Sequence, residues 1–156
     1  MGLPTIANNT IVGKIKTRLE AIATGAEYYY TLDAVHDNLP NFADAYADDT
    51  ETKVANIRDT IYEKLGEVPE STLQLDDILM TVEIDLIYKG ADWGAVIRKM
   101  DADVLKAIAQ DLTWDGAAFH TVFVSSQRNR TDAYGKVISD LTITIQIQFR
   151  KTAWSV

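Results

Sequence analysis

Two carboxylates, Glu83 and Asp85, have the spacing that could do chemistry. Two residues apart on a strand they would share one face at about 7 Å, a separation that general acid and base pairs also use. Nothing around them in the sequence suggests a pocket or a raised pKa, so they are expected to be surface charges. The two histidines, His36 and His120, stand in no HExxH or acid-x-x-His arrangement, which speaks against a zinc site. Asp48 and Asp49 fall in an acidic stretch without the Asp-x-Asp-x-Asp-Gly spacing of a calcium loop. Three adjacent tyrosines, Tyr28, Tyr29 and Tyr30, resemble a stacking platform for bases, but no basic groove accompanies them. The eight glycines are scattered singly, so there is no phosphate-cradling loop, dinucleotide fingerprint or Gly-x-Ser-x-Gly elbow. The absence of cysteine excludes disulfides, thiolate metal sites and a thiol nucleophile. The expectation is a protein with no catalytic, cofactor-binding or metal-ligating residues.

The elements that would position these side chains fit one domain spanning residues 1–156, since 156 residues at 47% hydrophobic are enough for one real core. No run of 18 apolar residues occurs, and Met1-Gly2-Leu3-Pro4-Thr5 lacks the features of a signal peptide, so a soluble protein that begins in a cytoplasm is expected. A net charge of −8, from 23 acidic against 15 basic residues, argues against a protein that coats nucleic acid. An acidic surface either keeps the chain soluble or lines a passage through which DNA slides without sticking.

The clearest pattern runs from Lys136 to Arg150. Val137, Ser139, Leu141, Ile143, Ile145, Ile147 and Phe149 alternate with Ile138, Asp140, Thr142, Thr144, Gln146, Gln148 and Arg150. This predicts one long strand with an apolar face and a Thr/Gln-rich face. Residues 78–88 alternate in the same way and Gly90 should stop that strand. Ile11, Val12, Ile15, Leu19 and Ile22 recur at helical spacing, with Asn9 or Thr10 as N-cap and Gly25 as terminator. A second helix, capped by Asp92, places Trp93, Val96, Ile97, Met100, Val104 and Ile108 on one core-facing stripe. Residues 28–32 favour a short strand, residues 33–49 an acidic loop, and residues 67–77 a turn-rich connection. Residues 53–65 are ambiguous: Val54, Ile57, Ile61 and Leu65 sit at helical spacing, while residues 56–62 also alternate like a strand. A short strand over 119–126 followed by a polar loop over 126–135 leads into the last strand as a hairpin. The fold class expected is α+β, a mainly antiparallel sheet with helices packed on one face.

The helix at 11–22, the strand Thr81-Val82-Glu83-Ile84-Asp85-Leu86-Ile87-Tyr88, the helix from Asp92-Trp93-Gly94-Ala95 to Gln110-Asp111, and the strand Asp140 to Arg150 resemble the tail terminator (tail completion) proteins of long-tailed bacteriophages. The resemblance spans residues 8–152 and rests on the order and pattern of elements. In that family a strand preceded by a proline occupies the middle of the chain; Lys53 to Asp59 looks like that strand but lacks the proline, which shifts 53–65 from helix towards strand.

The resemblance implies a virion structural protein and no enzyme: a ring of six copies that caps the tail tube, stops polymerisation of the major tail protein and offers a surface to the head-tail connector. It would reside at the head-proximal end of the tail, after assembly in the host cytoplasm, with DNA passing through its lumen without specific binding and with no membrane or cofactor involved. The loop at 127–134, with Arg128, Arg130, Asp132 and Tyr134 in an otherwise acidic chain, is the candidate contact to a neighbour or to the tube. The alternatives are another head-tail joining or tube protein of the same fold, and a small ligand-binding domain, for which the sequence offers no pocket.

Overall fold

Two long strands carry the architecture in the computed structural model, which describes residues 7–42, 52–65, 75–133 and 136–152. Strand β3 (Leu75–Lys89) and strand β5 (Lys136–Thr152) pair antiparallel, with Ile84 opposite Ile143 and Val82 opposite Ile145. Their shared apolar face buries Met80, Val82, Ile84 and Leu86 beside Leu141, Ile143, Ile145, Ile147 and Phe149. Helix α2 (Trp93–Ala109) packs on that face, helix α1 (Ala7–Glu20) packs beside it over the neighbouring strands of the same sheet, and both join one core with it. Strand β2 (Thr52–Lys64) pairs antiparallel with β3, strand β1 (Ala34–Asp37) pairs parallel with β2, and strand β4 (His120–Ala133) pairs antiparallel with β5. The sheet order is β1-β2-β3-β5-β4, so the fold is α+β, mainly antiparallel, with both helices on one side.

Residues 111–118 tie the two helices together. Trp114 is fully buried in a left-handed conformation (φ 54°), which a bulky residue adopts only when its surroundings hold it there. Its indole N–H donates to Thr121 Oγ1 at 2.8 Å, and the Arg18 guanidinium lies 4.1 Å over its ring. Arg18 also donates to the carbonyls of Asp111 and Ile108 at 2.6 and 3.4 Å, joining α1 to the C-terminal end of α2. At the other end of α2, Gly90 follows β3 because a Cβ there would collide with the Tyr88 hydroxyl.

Several expectations change. Helix α1 starts at Ala7, so Asn9 and Thr10 are inside it and are not its caps, and it ends at Glu20, before Gly25. Asp92 makes no side-chain cap to α2 and sits at φ 54°; Met100 is buried as expected, but Trp93 is 39% exposed. Residues 28–32 form no strand beyond an isolated bridge between Thr24 and Tyr28. The reason is Asp103 of α2, a buried carboxylate that accepts the backbone N–H groups of Tyr29 and Tyr30 at 3.0 Å each and so takes the place of a neighbouring strand. Within the expected acidic loop, residues 34–37 form β1; residues 43–51 lie outside the described residues.

Residues 53–64 of the ambiguous segment belong to strand β2 and not to a helix. The first half of β2 is buried on both faces, Ala55 and Ile57 against the helices and Val54 against Phe42 and Ile87 on the other side. Burial on both faces removes the alternation that would identify a strand. Of the connection expected over 67–77, residues 75–77 already belong to β3 and residues 66–74 lie outside the described residues. The loop expected at 126–135 is also corrected: β4 continues to Ala133, because its polar residues pair in register with β5, Gln127 opposite Thr142 and Arg128 opposite Leu141.

Candidate assembly surface

The face of the sheet away from the helices carries the polar side chains of β3 and β5, and the carboxylate pair lies on it. Arg58, opposite Glu83 on the neighbouring strand, joins both acids. Its Nη2 is 2.7 Å from Glu83 Oε2, and its Nε and Nη2 donate to Asp85 at 2.5 and 3.1 Å. Thr142 Oγ1 on β5 donates to Asp85 at 2.8 Å. The hydrogen bond with Asp85 raises the Arg58 pKa against the opposing effect of partial burial. Carboxylates held this way cross-link β2, β3 and β5, and their lone pairs are committed to the guanidinium and the hydroxyl.

The other sequence candidates are dispersed. His36 lies edge-on to the Phe42 ring at 6.2 Å, and His120 is exposed at the start of β4. Among the described residues no group of three His, Asp or Glu could hold a metal ion. Each of the three tyrosines has a lysine ammonium over its ring: Lys106 over Tyr28 at 5.4 Å, Lys99 over Tyr29 at 5.2 Å and Lys53 over Tyr30 at 5.1 Å. The cleft of about 370 Å³ beside Tyr28 and Tyr29 has its polar groups engaged, Asp103 by two backbone N–H groups and Lys106 by the Glu27 carbonyl at 2.7 Å.

The remaining region is strand β4, the outermost strand on its side of the sheet. Its inner residues are anchored: Thr121 is buried beneath Trp114, and Ser126 Oγ donates to Asp101 of α2 at 2.8 Å. The large apolar side chains among its described residues, and the one just before it, stay half exposed. Phe119, just before the strand, is 51% exposed, and Val122, Phe123 and Val124 are 44%, 52% and 49% exposed. Val122 lies opposite Gln146 on the open face and Phe123 opposite Ile145 on the helix side, and a register shift between Phe123 and Ser125 inserts Val124 as an extra residue, so three consecutive apolar side chains reach solvent. Each of these is a large apolar group left in water at an edge whose backbone donors and acceptors have no strand beyond them among the described residues.

Of the four residues expected as contacts, Arg128 is exposed on β4 with its guanidinium 5.1 Å over the Trp93 ring. Gly94 makes room for it: a Cβ there would lie 3.2 Å from Arg128 Nη2 and 3.8 Å from Arg98 Nη1, so two guanidiniums converge at the start of α2. Arg130 and Asp132 belong to the strand, paired in backbone register with Ser139 and Val137, and Tyr134 lies outside the described residues. Sequence reasoning missed Phe119, Val122, Phe123, Val124 and Trp93 as surface features, and it placed Arg98 on the polar face of its helix without bringing it beside Arg128. The signal for β4 was present: Phe119 to Val124 is apolar at positions of both parities in a segment too polar elsewhere to be a central strand. No protein-family model matches this chain, and no curated protein matches it.

Proposed function

We propose that this chain is a non-enzymatic virion structural protein that closes into a ring on the tail tube of a long-tailed bacteriophage, stops polymerisation of the major tail protein and presents a surface to the head-tail connector. The observation that carries the assembly part is the apolar, solvent-facing edge of β4 in a chain of net charge −8 that is otherwise built to stay soluble. The phage part rests on the resemblance in element order between residues 8 and 152. The open sheet face suits a lumen: its threonines and glutamines on β5 present hydroxyls and amides, and its described arginines are already paired, Arg58 with Glu83 and Asp85 and Arg150 with Asp77. DNA would meet no free cationic groove there.

The test is the mass of the purified protein by light scattering, negative-stain imaging, and addition of the protein to polymerising tail tube protein. A closed ring near six subunits and arrested tube growth are the expected results. Long tubes formed by the chain alone would move it to the tube proteins. A strict monomer that also leaves tube growth unchanged would sink the proposal.

A further inference from the structure

The sheet has a second uncovered edge. Strand β1 pairs only with residues Val54 to Ile57 of β2, so β2 from residue 58 to residue 64 has no outer partner among the described residues. Residues 60–64 are exposed, with Ile61 at 50% and Tyr62 at 42%. A free strand edge accepts one kind of partner, another extended backbone. This chain therefore carries two such edges, on opposite sides of one sheet, each with large apolar side chains.

The charges left over on the two edges are opposite. On β2, Arg58 is paired with Glu83 and Asp85, and Lys64 is paired with Asp76 at 3.0 Å. Among the described residues, that leaves without a cation in contact the carboxylates of Asp59, which accepts from the neutral groups of Asn38 and Tyr62, and of Glu63. Beside β4, Arg128 and Arg98 stand at the start of α2 with no carboxylate in contact among the described residues.

We propose that the β4 edge of one copy pairs with residues 58–64 of β2 in the next copy, extending the sheet from subunit to subunit. The apolar contact is Val122, Phe123 and Val124 against Ile61 and Tyr62, and the Arg128 side carries the charge that Asp59 and Glu63 lack. Because the two edges differ, the contact is head-to-tail, and repetition generates a closed ring or an open filament and not an isolated two-fold dimer. This inference rests on the ring reading above and names the surface through which the ring forms.

The absence of native cysteine allows a direct test. Full-length chains carrying Phe123→Cys or Val124→Cys together with Ile61→Cys or Tyr62→Cys cover both faces of each strand, and all four positions are exposed enough for the change to leave folding intact, which circular dichroism checks. Under mild oxidation at least one of the four combinations should give a ladder of covalent oligomers ending at the size of the ring, while each single-cysteine chain stays uncross-linked. Efficient dimers from Phe123→Cys or Val124→Cys alone would show two β4 edges meeting each other and overturn the proposal. A ring that persists by light scattering with no cross-link in any combination would overturn this contact and leave the ring reading standing. A strict monomer, alone and with tail tube protein, would overturn both. As an independent arm, Arg128→Glu should reduce oligomerisation at least tenfold, and adding Glu63→Arg should recover it; failure of the reversed pair to recover a folded, weakened variant counts against the contact.

Discussion

The middle of the sheet and its β4 edge are made of the same kinds of residue, yet they end in different environments. On β5, Ile143, Ile145 and Ile147 are essentially inaccessible, while on the adjacent strand Val122, Phe123 and Val124 remain about half exposed. The difference is one of position. β5 has a strand on each side and helix α2 over its buried face, whereas β4 has one neighbouring strand among the described residues and a bulge that takes Val124 out of register. Side-chain type sets how much free energy burial can release, and the number of covered sides sets whether the subunit alone collects it. What β4 leaves exposed is available to a partner.

That contrast can be broken most severely at Trp114. Trp114→Ala removes a fully buried ring, its bond to Thr121 and the platform for Arg18, and should cost about 3–5 kcal/mol in urea unfolding. A cost below about 1 kcal/mol would mean that residues 111–118 are not part of the core. Asp103→Ala comes next. It leaves the Tyr29 and Tyr30 N–H groups without their acceptor, a loss of about 1–3 kcal/mol, and those two amides should lose hydrogen-exchange protection before the β3 and β5 amides do.

A smaller, pH-dependent effect sharpens the same comparison near the start of β4. The Asp111 carboxyl accepts from the Thr113 hydroxyl and from the backbone N–H groups of Asp115 and Thr113, which together with Arg18 lower its pKa from 3.8 to about 2. A depressed carboxyl stabilises the fold fully above its ordinary pKa, and that contribution disappears as the pH falls through the folded value. The melting temperature should therefore fall between about pH 4 and pH 2, and Asp111→Asn should show a shallower fall over that window. Equal slopes in the two proteins would assign the acid sensitivity to other carboxylates, among them Asp77, whose pKa is lowered by its hydrogen bond from Arg150.

The smallest effect on stability is expected at the edge itself. Phe123→Ser should change unfolding free energy by no more than about 0.5 kcal/mol, because the ring is already half in water, while oligomer mass by light scattering should drop. A loss of 2 kcal/mol or more, on the order of a core truncation, would show that β4 belongs energetically with the centre of the sheet and erase the distinction.

Most of the central architecture was legible from residue order alone. β3, β5, α1 and α2 each bury one face, so a period near two or near 3.6 appears in the sequence itself, and the α+β class followed from their succession. Of the candidate contacts, Arg128 was legible as a charge in an acidic chain. Its setting over Trp93 and beside Arg98 was not, because those residues lie some thirty positions earlier. The rest was decided by contacts distant along the chain. Tyr28 to Leu32 has strand-like composition, but Asp103, 74 residues beyond Tyr29, takes the amides that a strand would have offered to a sheet. Residues 53–65 have helical spacing as well as alternation, but pairing with β3 makes 53–64 strand, with only its first half buried on both faces, and residues 127–133 have the composition of a loop, but β5 supplies the register that keeps them in the sheet. Local periodicity records a single buried face. Which edges stay open, and which polar groups are satisfied, is settled only when the neighbours are in place, because a backbone hydrogen bond is indifferent to side-chain type and depends on what lies beside it.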